Sequence, residues 1–104
     1  MPKTATTYQP HLLDPHSAQP QPVSPQNGRS FKLAELYQLR ECHTVEVIRL
    51  TPELILIVDE EGKFRTPAYL NLLATYLWHQ HKPAARGVDS IVGRAILCHD
   101  KQFR

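Results

Sequence analysis

Between Pro67 and Pro83 the chain carries a segment with too few polar residues, too closely aligned, for an ordinary surface helix. Thr66 suits a helix N-cap and Pro67 the first helical position, where a missing amide hydrogen costs nothing. Pro83 disfavours helix at the residue before it, so the helix should run to about Lys82. On a 3.6-residue period Asn71, Thr75, His79 and Lys82 fall on one narrow stripe, and everything else between Tyr69 and Trp78 is Leu, Ala, Tyr or Trp. A helix lying on a small sheet needs an apolar face somewhat wider than ~100°. This one is apolar around most of its circumference. A single sheet face cannot cover it, so either the C-terminal segment or a partner must.

The chain has 104 residues, which allows one domain. Six of its nine prolines lie within residues 1–30, interleaved with Gln, Ser and Thr, and only Leu12, Leu13 and Val23 offer bulky aliphatic surface there. Such a stretch buries too little apolar area to offset its chain entropy. The expected division is a disordered Pro/Gln/Ser-rich tail over 1–29 and a small α+β domain over 30–104. Removing the tail should then leave thermal stability nearly unchanged. Pro22-Val23-Ser24-Pro25 fits a short polyproline II stretch, more simply a solvated leash than a specific ligand. A domain of roughly 75 residues has little stability to spare, which favours a partner or a second copy.

Within the domain, Ser30 is a candidate N-cap, and Phe31, Leu33, Leu36, Tyr37 and Leu39 recur at helical spacing, giving a short N-terminal helix over 31–41. Val45, Val47 and Ile48 mark a strand over 44–50, Thr51-Pro52-Glu53 a turn, and 54–58 a second strand covered on both faces. After the acidic turn Asp59-Glu60-Glu61-Gly62, residues 63–65 read as a brief third strand. These strands form a small antiparallel meander, followed by the long apolar helix. Residues 90–100 fit a helix or a strand; Ser90 or Asp89 as a cap tilts the reading to helix, while Gly93 weakens both.

Two cysteines, Cys42 and Cys98, suit free thiols in a reducing compartment better than a disulfide framework. With no apolar stretch at the start that fits a signal peptide, the expected location is the cytoplasm. Cys42-His43 and Cys98-His99, with His79 and His81, hold the residue types of a zinc site. Structural zinc pairs stand two to four residues apart, however, and adjacent residues point apart, so no metal is expected. Cys98-His99-Asp100 resembles a catalytic trio only when written in a line, because nucleophile, base and acid must meet in space. Asp59, Glu60 and Glu61 lack the alternating spacing of a calcium loop. Four scattered glycines make no phosphate cradle, so no nucleotide cofactor is expected.

The net charge of +2 conceals an asymmetry. Residues 1–62 hold five basic and eight acidic side chains, a balance of −3, and residues 63–104 hold seven and two, a balance of +5. The reading favoured is a small non-enzymatic regulator or adaptor that binds another protein or forms a homodimer. Its expected contact residues are Tyr69, Leu72, Tyr76 and Trp78, since aromatic side chains concentrate at interface hot spots. The alternative is a nucleic-acid-binding regulator using Lys82, Arg86, Arg94, Lys101 and Arg104 against phosphates. The sequence points to no small-molecule substrate and no membrane span.

Overall fold

The six residues Leu54–Asp59 (β4) are buried from Ile55 onward, and a strand buried at every position needs cover on both faces. In the computed structural model, which describes residues 8–40, 45–59, 68–85 and 89–103, that cover comes from two helices on opposite faces of one sheet. The sheet has five antiparallel strands in the order β2-β1-β5-β4-β3: His11–Leu13 (β1), Gln21–Pro22 (β2), Val45–Arg49 (β3), β4 and Ala95–His99 (β5). The helices are Leu33–Arg40 (α1) and Leu72–His81 (α2), with 3₁₀ turns at Pro83–Ala85 and Asp100–Gln102.

Strand alternation divides the core. Leu12, Ile55, Ile57, Ile96 and Cys98 face one side, where Phe31 and Leu36 complete the cluster. Leu13, Leu56, Val58 and Ala95 face the other, under Ala74, Leu73, Leu77 and Trp78 of α2. The registers Leu12↔Ile96, Leu56↔Leu97 and Ile48↔Leu56 keep the two sets apart, because opposed residues in an antiparallel pair point the same way. The β3–β4 turn is tight. Leu50 N–H donates to the Leu54 carbonyl at 2.9 Å, and the Thr51 hydroxyl accepts from the amides of Glu53 and Leu54.

The expected fold class is overturned: this is a five-stranded antiparallel sheet with two short helices, not a three-stranded meander carrying a long apolar helix. The tail supplies two of the strands. Leu12 and Leu13 are buried, β1 pairs with β5 more than eighty residues away, and Arg94 Nε meets Asp14 Oδ2 at 3.2 Å. The segment from Tyr8 to Ser30 is therefore part of the fold, and its composition misleads because two adjacent leucines suffice for a three-residue strand. The expected third strand, 63–65, lies outside the described residues. Of the two readings of residues 90–100, the strand is found, as β5, and the favoured helix is not; Gly93 (φ +86°) admits it by turning the chain in a conformation that side-chain-bearing residues rarely adopt.

Both helices are shorter than the sequence suggests. Phe31 is fully buried in a parallel bridge to Phe103 rather than helical, and its N–H donates to the Gln102 carbonyl at 2.7 Å. The amide of Lys32 is satisfied by the Glu35 carboxylate at 2.9 Å, which also accepts from Gln26 N–H at 3.1 Å. That leaves Glu35 in place of Ser30 as the capping side chain. The second helix begins only after Asn71, ten residues long, and the expected cap at Thr66 and Pro67 lies outside the described residues. No helix among the described residues is long and apolar enough to cross a membrane.

Candidate functional site

Asn71 sets the position of α2. Its Oδ1 accepts from Ala74 N–H at 3.0 Å as the N-cap, and its Nδ2 donates to the carbonyls of Leu13 and Gly93, each at 2.8 Å. Its own N–H donates to the Ile91 carbonyl at 2.8 Å, while Leu70 bridges Val92. The start of the helix is thereby stitched both to β1 and to the segment leading into β5.

The polar stripe then takes an unexpected direction. Thr75 accepts from Ile91 N–H at 2.8 Å, and His79 Nε2 contacts the Asp89 carbonyl at 2.9 Å. Asn71, Thr75 and His79 thus serve backbone groups of residues 89–93, a segment whose amides and carbonyls each need a partner. With the polar stripe turned to the chain and Leu73, Ala74, Leu77 and Trp78 turned to the sheet, the remaining face falls to Leu72 and Tyr76. They stand at i and i+4, neighbours on a helix surface, and are 72% and 60% exposed. Tyr69 and Leu70, on the approach to the helix, are 48% and 47% exposed, and His16 packs edge-on against the Tyr69 ring at 4.4 Å. Three of the four residues expected at a contact surface are therefore on the surface. Trp78 is half-buried against the core instead, on the sheet-facing side of the helix.

Beyond Trp78 a cleft of about 320 Å³ opens between β3 and residues 89–92, with Glu46, Asp59 and Asp89 along its walls. Asp59 is buried and ends β4.

Among the described residues the basic side chains named for phosphate contacts stand on separate elements. Arg94 is ion-paired to Asp14, and Lys82 closes α2 as its C-cap. Arg94 precedes β5 and Lys101 follows it, so five strand residues, about 17 Å at ~3.3 Å each, separate their backbones. Arg86 and Arg104 lie outside the described residues.

The described Cys/His pair, Cys98-His99, behaves as strand geometry demands. Cys98 points into the α1-side core, while His99 turns its Nδ1 to the Lys101 amide (3.1 Å), with Asp100 Oδ1 at 3.2 Å. Burial, with the Asp100 charge adding to it, pushes the Cys98 thiol up to about 12, so it stays protonated at neutral pH and is no nucleophile. His81 Nδ1 lies 3.0 Å from the Leu77 carbonyl, so both α2 histidines are engaged with main chain. Among the described residues no three His, Cys, Asp or Glu side chains converge as a metal site. Cys42 and His43 lie outside them.

Sequence periodicity located α2 and its polar stripe, left open whether the C-terminal segment or a partner covers the rest of the helix, and overlooked Leu70. The signal that could have found the arrangement is the pairing of a polar helix stripe with the Gly-punctuated, strand-forming segment after Asp89. No curated protein and no solved structure matches this chain. A family match spans residues 11–103, from the first residue of β1 to the end of the last 3₁₀ turn and Phe103, and so takes in the whole sheet and both helices. The chain belongs to the family described as Domain of unknown function (DUF3846).

Proposed function

We propose that this protein is a small non-enzymatic regulator or adaptor that works by contact with another polypeptide, with Tyr69, Leu72 and Tyr76 as the contact side chains. The observation that carries this reading is the inverted helix: α2 spends its polar stripe on its own chain and presents Leu72 and Tyr76 to water. Taking roughly 200 Å² for a fully exposed large side chain, Leu72 and Tyr76 together leave about 260 Å² of surface side by side on the helix as a ridge, with Tyr69 and Leu70 also exposed just before it. Aromatic side chains held at a surface are enriched at interaction sites.

The test compares partner retention by the immobilised protein with that of a Leu72→Ala, Tyr76→Ala variant. The expected result is a partner retained by the first and lost from the second. Equal retention of every partner by both refutes the ridge as the contact surface. A phosphate-binding role has less support, since Arg94 is neutralised by Asp14 and lies far from Lys101. Binding that weakens steeply with salt would restore it.

A further inference from the structure

We infer that the outer edge of β3 takes up an extended peptide as a sixth strand, with a basic side chain of that peptide lodged in the cleft beside Trp78. This site is separate from the Leu72–Tyr76 ridge. It follows from hydrogen-bond alternation, from two clefts and from charge.

Leu50 N–H donates to the Leu54 carbonyl, so Ile48↔Leu56 and Glu46↔Val58 are the hydrogen-bonded pairs of the β3–β4 ladder. The N–H and C=O groups of Val45, Val47 and Arg49 therefore point away from β4. Among the described residues no strand lies beyond them, and Glu46, Val47 and Arg49 are exposed. The opposite edge of the sheet is closed to pairing. There Val23 N–H donates to the Pro10 carbonyl, which puts Pro22 at the outward position of β2, and proline has no amide hydrogen to offer. Strand β3 has no proline and keeps its register over all five residues. Such a row of main-chain donors and acceptors matches an extended backbone.

An added strand sends successive side chains to alternate faces of the sheet, and a cleft lies beside β3 on each face. On the α2 side, Glu46, Asp59 and Asp89 line the 320 Å³ cleft together with Trp78, and among the described residues no cation lines it. On the α1 side, a cleft of about 380 Å³ lies between Val47, Ile55 and Phe103, and its Arg49 is paired with Asp100 at 3.3 Å. The first suits a lysine or arginine, whose stem packs on the indole while its head meets carboxylates. The second suits an apolar side chain. A second β3, paired antiparallel about an axis normal to the sheet, would bring its own Glu46 to the acidic side. Charge thus favours a basic peptide over a second copy.

The probe is a capped peptide of alternating lysine and valine, about seven residues long, the length of an ordinary strand. Binding is read by the fluorescence of Trp78 in the cleft. The expected result is a saturable change in emission. Kd should rise about tenfold or more when glutamate replaces lysine in the peptide, and likewise when the valines are N-methylated, which keeps the charge but blocks the edge-facing amides. Glu46→Lys should weaken binding about tenfold. Val47→Pro, which removes an outward N–H and no β3–β4 bond, should abolish it. Leu72→Ala, Tyr76→Ala should bind as wild type does. Circular dichroism checks that the variants fold, and the peptide comparisons stand on the wild type alone. No saturable change up to ~1 mM peptide overturns the inference. So does equal binding of the N-methylated or the glutamate peptide, and so does loss of binding in the Leu72→Ala, Tyr76→Ala variant. Dimerisation of the peptide-free protein that Val47→Pro removes would give the edge to a second copy and overturn the basic peptide.

Discussion

Asn71 is the residue whose replacement separates two accounts of how α2 is held. If it acts only as an N-cap, Asn71→Asp should be harmless, because Asp caps as well as Asn and its charge suits a helix N-terminus. The hydrogen bonds say otherwise. Asn71 is 1% exposed, and its amide group also donates to the Leu13 and Gly93 carbonyls. An aspartate keeps the bond from Ala74 N–H but aims a carboxylate oxygen at those two carbonyls. For Asn71→Ala, the lost cap costs about 1 kcal/mol. The buried Leu13 carbonyl left without this donor costs ~1–3, and the partly buried Gly93 carbonyl about 1. The sum is roughly 3–5 kcal/mol, a large share of the ~5–15 kcal/mol that holds a domain together. It corresponds to a Tm lower by roughly 15–30 °C. Urea unfolding followed by the fluorescence of Trp78, the single tryptophan, measures it. Asn71→Asp should be at least as destabilising as Asn71→Ala. If Asn71→Asp falls within about 0.5 kcal/mol of wild type, the two carbonyl bonds contribute nothing and α2 is held by its apolar face alone.

Two further outcomes follow from the fold. Leu13→Ala should lower unfolding free energy by ~2–5 kcal/mol, since Leu13 is buried in the core beneath α2, and removal of residues 1–29 should abolish cooperative unfolding. An unchanged Tm for either would detach β1 from the sheet. Alkaline stability should depend on Cys98. Its folded thiol titrates near 12 against an ordinary 9.0, so the unfolded chain loses its proton first, and stability falls as pH rises from about 9 toward 12. In a Cys42→Ser background the thiol should react slowly with an aromatic disulfide until urea unfolds the protein, and Cys98→Ala should flatten the alkaline decline. Rapid reaction of the native protein refutes the burial.

The β3–β4 hairpin was legible in the residues because its determinants are local. Val45, Val47 and Ile48 stiffen one arm, Pro52 sits in the turn, and the apolar run from Leu54 supplies the other. The apolar content of 67–82 was legible for the same reason, as was the mutual divergence of Cys98 and His99. The contact surface was half legible: Tyr69, Leu72 and Tyr76 were named from type and spacing, while the reason for their exposure was not.

What the tertiary structure decided depends on pairings between distant residues. Nothing near Leu12 and Leu13 announces a strand, because their ladder partners Ile96 and Ala95 lie at the far end of the chain. Residues 95–99 fit helix or strand until β4 and β1 take up their hydrogen bonds on both sides. Asn71, Thr75 and His79 read only as a polar stripe until residues 89–93 arrive with backbone groups for it to bind. Side-chain type fixes what each residue can satisfy, but only the assembled chain determines which groups remain to be satisfied, and so which face of α2 meets water.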